Sequence, residues 1–436
     1  MLKKSKIIAG SLVALFLMVV IFGGVGLAKE KVKLTATFAA PKERWDWLVD
    51  KALPVLKANH PELNIEFEYE VLPYDKTHDK LITMMIANTP RDLVSVDGIW
   101  LGEFAQGGLL KDITEEVKEW GRMDEYYAVN REGSKYNGKY YGIWSWTDAR
   151  VLWYWPDLLE KAGVEPEDLT TWDGYIAAAE KLNNTLQNEG IEGVHLVGAP
   201  HSPDMFFPYL WMNGGKILEK RDGKWYPAFH KEAGIKALTF IKRQVEAGIK
   251  PQKQHFWGQE FADKRYAVML EGSWLAGKFS KNITKEELEN KIGMLPLFPT
   301  PSEEVDTATM AGGWVLAIPK TSRHQDLAWE LMEIIQSPEI MSQFLAKFGY
   351  LPTQRVIAEN PEYNKVLIES IPFFDKYTKI LPLAHGRPNI PEYPQISEAL
   401  RIAIEEVYYR GADPEVALTK AAQKVARILG WPGLVD

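Results

Sequence analysis

From residue 34 onward the chain alternates between two hydrophobic rhythms. LTATFAA (34–40) is a nearly unbroken apolar run closed by Pro41, the pattern of a buried strand. RWDWLVDKALPVLKAN (44–59) repeats its apolar positions at helical spacing. NIEFEYEVL (64–72) alternates with a period of two and reads as a strand. DKLITMMIAN (79–88) is helical again and stops before Pro90, and DLVSVDG (92–98) is another buried strand. Strand–helix–strand–helix–strand predicts an α/β layer with a largely parallel sheet. Ligands of such sheets gather at the carboxyl ends of the strands. Those ends hold Glu43, Arg44 and Trp45 after the first strand, and Asp97 and Trp100 after the third.

Further along, 103–117 predicts a short helix, a glycine stop and a second helix start. YNGKYYG (136–142) predicts a hairpin turning on Asn137-Gly138. Helices are expected over 157–163, ended by Gly163, and over 170–186, 232–247 and 324–346, with two more across 395–428. Proline clusters at 296–301, around 352 and at 382–394 mark irregular connections. No single linker divides the chain, which suits two lobes crossed several times.

The stretch GIWSWTDARVLWYW (142–155) breaks the pattern. Read as one strand, its period of two puts Trp144, Trp146, Asp148, Arg150, Leu152 and Tyr154 on one face. The opposite face is mostly small or apolar. Two readings fit: an internal Asp–Arg pair beneath packed tryptophans, or a strand that begins at an aromatic-lined opening and ends in a core. Aromatics also meet glycine in LWMNGG (210–215, with Trp211), FWG (256–258), EGSWLAG (271–277) and AGGWVLAIP (311–319). Glycine there lets backbone approach a ligand closely; a turn packed on a core residue is the alternative at each. A sugar ring suits this mixture. Its C–H face covers a flat indole, and its hydroxyl rim bonds to carboxylates and guanidinium groups.

Composition sharpens the picture. With 436 residues the chain has room for two or three domains, and its 16 Trp, 18 Tyr and 17 Phe supply many rigid contact surfaces. Lys3, Lys4 and Lys6 precede an apolar run from residue 7 to 22 and a small-residue ending at Ala28. That is the layout of a cleavable secretory signal over 1–28. A retained anchor is the alternative, but Gly23, Gly24 and Gly26 interrupt a run that needs about 20 apolar residues to span a bilayer. Cleavage would lower the formal charge from −8 to −11, because 1–28 carries three lysines and no acid. That balance argues against nucleic acid. The absence of cysteine excludes thiol nucleophiles, cysteine-based metal sites and a lipid-modified cysteine behind the signal, so a free periplasmic protein is expected.

Catalytic signatures are missing. There is no G-x-S-x-G, H-E-x-x-H, P-loop or G-x-G-x-x-G after a strand, and the eight histidines lack metal-ligand spacing. No cofactor or metal is expected. Glu43, Asp97, Asp148, Glu271 and Glu392 keep a glycosidase pair open, because such a pair is defined by a separation in space.

At this level of detail the chain resembles the family 1 extracellular solute-binding proteins of ABC importers, the group that includes maltose- and oligosaccharide-binding proteins. The resemblance rests on DLVSVDGIWLGEFAQGGLLKDIT, YNGKYYGI…TDARVLWYWPDLLEKAG, TWDGYIAAAEKL, EGSW, AGGWVLAIPK, FGYLPTQR and PNIPEYPQIS, in that order. Trp155-Pro156 and Gly174 depart from the family pattern. The resemblance implies a two-lobed α/β fold of the type II, maltose-binding-protein-like kind, with a multi-crossing hinge. It implies a first lobe of 29–145 and 316–349 and a second of 146–315 and 350–436. It implies a carbohydrate ligand, permease transmembrane subunits as partners, a monomer and no enzymatic activity. By motif position, Asp97, Trp100, Asp148, Trp274, Gly313, Trp314, Tyr350 and Arg387 are the implied ligand residues. Glu43, Arg44, Trp146 and Trp211 complete the candidates from the pattern alone. A non-sugar ligand such as a polyol phosphate stays open if Arg44, Arg150 and Arg387 cluster.

Overall fold

The computed structural model describes residues 29–89, 91–198, 201–252, 258–279 and 283–434. The expected leader, 1–28, and residues 256–257 of the FWG stretch lie outside them.

The first five elements follow the predicted alternation: β1 (Glu30–Ala39), α1 (Lys42–Asn59), β2 (Leu63–Leu72), α2 (Tyr74–Ile86) and β3 (Leu93–Asp97). Helix α1 docks because Trp45, Leu48, Ala52 and Leu56 recur on one face, and none is more than 1% exposed. Trp45 stacks on Phe38 of β1 with ring centroids 3.9 Å apart. Each large side chain buried this way contributes about 1.5–3 kcal/mol. Residues Lys135–Tyr136 and Lys139–Tyr140 form the expected hairpin, with Asn137 and Gly138 both at positive φ.

The 142–155 stretch is two strands rather than one. β4 (Ile143–Thr147) belongs to the first sheet and β5 (Arg150–Tyr154) to a second sheet, joined by Asp148 and Ala149. The second layer continues with α3 (Trp172–Leu186), β6 (Glu192–Val194), α4 (Ser202–Met212), α5 (Glu232–Glu246), β7 (Tyr266–Gly272) and β8 (Gly293–Leu295). The chain then returns to the first sheet through β9 (Gly313–Ala317). Helices α6 (Gln325–Ile335), α7 (Pro338–Phe348), α8 (Pro361–Ser370), α9 (Tyr393–Arg410) and α10 (Pro414–Ile428) follow. The helix expected over 324–346 is therefore split. Pro338 takes the first position of α7, and the Ser337 side chain accepts the Ile340 amide and caps it.

Strand order is β2–β1–β3–β9–β4 in the first sheet and β8–β5–β7–β6 in the second. β1 runs parallel to β2 and β3, as expected, whereas β9 runs antiparallel to β3 and β4. β4 stays in the first sheet to Thr147 and β9 enters it at Gly313. The chain thus leaves that sheet two residues beyond the 145/146 boundary and re-enters it three residues before the 315/316 one.

Between β9 and β4 the register shifts at Trp314/Val315. Trp314 faces Trp146 and Val315 faces Trp144, so Ser145 is an extra residue. The bulge overturns the period-two face. Trp144 packs with Val96, Trp100 and Val315, while Trp146 enters the main core beside Trp45 and Phe344. Ser145 accepts a hydrogen bond from Gln336 at 2.5 Å, which anchors the extra residue to the end of α6.

Candidate functional site

The site forms where the ends of the two sheets face each other. β3 delivers Asp97 to its carboxyl end. One oxygen accepts the Ile99 amide at 3.2 Å and caps the turn carrying Trp100; the other accepts the Tyr74 hydroxyl at 3.0 Å. Tyr74, Trp100 and Trp314 form a corner of rings. Tyr74 and Trp100 lie 5.6 Å apart at 30°, and Trp314 stands nearly perpendicular to both, at 5.9 and 6.1 Å. Gly98 makes room for this packing, since a Cβ there would sit 2.2 Å from the Trp144 ring.

A chain of alternating charges runs across the gap between the sheets. Asp148, in the link between β4 and β5, accepts the Gly312 amide at 3.3 Å and Arg150 Nη1 at 3.4 Å. Arg150 Nη2 lies 3.7 Å from Asp204 at the start of α4. Asp204 accepts Arg387 Nη1 at 3.3 Å, and Arg387 Nη2 lies 3.8 Å from Asp97. The Arg150 guanidinium also covers the Trp274 ring at 5.4 Å. Asp97, Asp148, Arg150 and Asp204 are all less than a tenth exposed. Buried charges persist only when paired, and here each is.

Burial dominates the electrostatics. It pushes the Asp97 and Asp148 carboxyls above the usual range, against the pull of Arg387 on the first and of Arg150 on the second. Burial works against the Arg387 charge too, but Asp204, Tyr393 and Asp97 hold that group above its ordinary value. Burial likewise raises the Tyr74 hydroxyl, with Asp97 adding to the shift. Two glycines hold the Asp148 end. A Cβ on Gly312 would fall 2.7 Å from Asp148 Oδ2; Gly313 has φ +143° and would place a Cβ 2.2 Å from the Trp146 carbonyl oxygen.

Of the candidates from the sequence, Asp97, Trp100, Asp148, Trp274, Gly313, Trp314 and Arg387 come together. Trp146 does not. It is fully buried, with rings of Trp45, Phe344 and Tyr350 at 5.5, 5.1 and 5.6 Å. Arg44 and Tyr350 belong to that same stack. The Arg44 guanidinium lies over Trp146 and Tyr350 at 5.3 and 5.4 Å, and donates to the Tyr350 hydroxyl at 2.9 Å and to the Ala40 carbonyl. Glu43 is exposed on the first turn of α1. Trp211, at the end of α4, stacks on His385 with centroids 4.8 Å apart, two residues from Arg387. Two participants went unread in the sequence. Tyr74 follows the carboxyl end of β2, the position class that exposed Asp97. Asp204 sits in SPD, where proline opens a helix that the hydrophobic pattern does not mark. Among the described residues no three His, Asp or Glu side chains are arranged to hold a metal ion. No described helix is long and apolar enough to cross a membrane.

Two α/β layers that share one cluster of rings and charges define a two-lobed binding protein. The profile of the bacterial extracellular solute-binding protein family matches residues 56–367, and the chain belongs to that family. A binding protein of Brucella abortus (strain 2308) is 26% identical over 380 residues, covering 86% of this chain and 87% of its own length. The arabinooligosaccharide-binding protein of Bacillus subtilis (strain 168) is 25% identical over 299 residues, 64% of each chain. Among solved structures, an ABC transporter solute-binding protein of Thermotoga lettingae bound with α-D-tagatose superposes with a TM-score of 0.75 at 28% identity. That match covers 91% of this chain and 100% of the other.

Proposed function

We propose that this chain captures a mono- or oligosaccharide between its lobes and delivers it to the transmembrane subunits of an ABC importer, without chemical turnover. The observation that carries the reading is the joining of an aromatic corner (Tyr74, Trp100, Trp314) to the charge chain from Asp148 to Asp97. Rings cover the apolar face of a pyranose, while carboxylates and guanidinium groups take its hydroxyl rim. The sugars named for relatives in Bacillus subtilis and Thermotoga lettingae support it. Asp97, Trp100, Asp148, Trp274, Trp314 and Arg387 are the proposed ligand residues, joined now by Tyr74, Arg150 and Asp204.

In this reading a sugar that touches both lobes binds the closed form better and shifts the balance toward it. A shift from 1:99 to 99:1 needs about 5.5 kcal/mol of differential affinity. Strand pairing supports a first lobe of 29–147 and 313 to about 370, since α8 packs on α7, with the second lobe formed by the remainder. The leader 1–28 is removed after Ala28 and the mature protein works as a monomer outside the cytoplasmic membrane.

A thermal-shift screen of mono- to pentasaccharides, with product analysis of each mixture, tests the function. A true ligand at a hundred times its Kd adds about 2.7 kcal/mol to stability and raises Tm by several degrees. Product should be absent. If no sugar moves the transition, or if the sugar is cleaved, the reading fails.

A further inference from the structure

We propose that the site extends outward to a second sugar platform, the stacked pair His385 and Trp211, and that its ligand is an oligosaccharide of at least two rings. The inference rests on the sugar-binding reading and narrows it. It starts from a column of rings that rises from core to surface. Phe207 of α4 is wholly buried. Trp211, four residues on, is half-buried, with its ring centroid 5.8 Å from that of Phe207 and the two planes 32° apart. His385 lies on Trp211 at 4.8 Å and 19°, and is itself exposed. Every other residue of α4 from Pro203 to Met212 is buried, so Trp211 is the one that the helix sends toward the surface there.

The platform is fixed in place beside the inner site. Ala384–His385 pairs with Thr309–Met310, and the His385 carbonyl accepts the Ala311 amide at 2.9 Å. The next amide along, that of Gly312, donates to Asp148. Two residues past His385, the same segment delivers Arg387 to Asp204 and Asp97. Gly386 between them leaves the backbone bare, and a Cβ there would come 3.1 Å from Val129, in the part of the chain that precedes β4. Asp204 and Trp211 are seven residues apart on α4. Two helical turns put them on one face and about 10 Å apart along the axis. A single sugar ring bonded to Asp204 does not span that distance; a second, linked ring does. The surface also suits a sugar. Rings already held flat lose little freedom when a ligand covers them. Burial of its inner side lowers the His385 pKa below the ordinary 6.5, so the imidazole is uncharged at neutral pH. Its edge then carries one donor and one acceptor nitrogen for a hydroxyl rim.

Calorimetry at pH 7.5 tests this with a matched series: the mono-, di- and trisaccharide of the sugar type giving the largest shift in the screen. The disaccharide should bind about 10-fold tighter than the monosaccharide. His385→Ser should remove most of that advantage and leave the monosaccharide within about 2-fold of its wild-type affinity. His385→Phe keeps a flat ring and should retain the advantage. Trp211→Ala takes away the support beneath the imidazole and should act as His385→Ser does; the comparison at exposed His385 stands alone if that variant does not fold. A monosaccharide that binds as tightly as its longer counterparts overturns the inference and leaves the sugar reading standing. So does a His385→Ser variant that weakens both ligands equally or neither. If no sugar of any length binds, both fall.

Discussion

Asp148 stands under two opposed demands. In its proposed role as a sugar-hydroxyl acceptor it works best ionised, yet burial raises its pKa above the ordinary value of 3.8. A raised folded-state pKa means the empty protein holds that proton more tightly than the unfolded chain does. The resulting stability is complete below the ordinary value and is lost as pH rises through the raised one. Asp148→Asn escapes this loss. Its Tm should therefore gain on that of the wild type as pH is taken from 4 to 7, measured by differential scanning calorimetry. Sugar affinity should move the other way, falling about 10- to 100-fold, since a hydrogen bond to a charged group is worth about 1.5–3 kcal/mol. Asp148 was legible in the sequence because an acid inside an apolar run demands an explanation. Asp204 was not, because an acid just after proline at a helix start is ordinary, and its importance comes from two arginines far away in sequence. Trp146 misled because its neighbour Trp144 does lie against the Trp100 side of the sheet.

At the level of elements, that error traces to the extra residue at Ser145. A bulge carries no signature in the hydrophobic pattern; it inverts one side chain and leaves the composition untouched. The alternation of strands and helices through β3 was readable because each element there is long enough to show its period. The division of 142–155 was not, since both halves are apolar and nothing marks their assignment to different sheets. Gly312 and Gly313 give a sharper element-level expectation. Gly313→Ala meets both a left-handed φ and the Trp146 carbonyl, so it should cost about 2–4 kcal/mol in urea unfolding. Gly312→Ala pushes on a carboxylate instead of backbone. It should cost less stability, about 1 kcal/mol, while weakening sugar binding at least 10-fold in calorimetry.

At the scale of the molecule, Arg387 ties Asp97 on the first sheet to Asp204 beside the second. That tie favours approach of the lobes before any ligand arrives. Arg387→Gln should shift the empty protein toward open forms, seen as a larger radius of gyration in small-angle X-ray scattering. Saturating sugar should restore most of the compaction. An unchanged radius in the empty variant would show that the tie has no influence on the resting shape. Two lobes were foreseeable because no linker interrupts the chain and several stretches suit repeated crossings. The partner of each crossing was not, because pairing between β9 and β4 is settled by contacts about 170 residues apart in sequence, beyond the reach of local periodicity.

The two-residue link between β4 and β5 carries a mechanical consequence. In the proposed closure Asp148 sits at the fulcrum, where swinging one half against the other moves its carboxylate hardly at all. A guest held there gains grip in every posture, and such grip does no work toward shutting the jaw. The leverage belongs to groups at the end of the arm, Trp100 and Tyr74 on one side and Asp204 and Trp274 on the other. Weakening the fulcrum should leave a sugar that is held loosely yet fully enclosed; weakening the arm should leave one that is held while the mouth stays ajar.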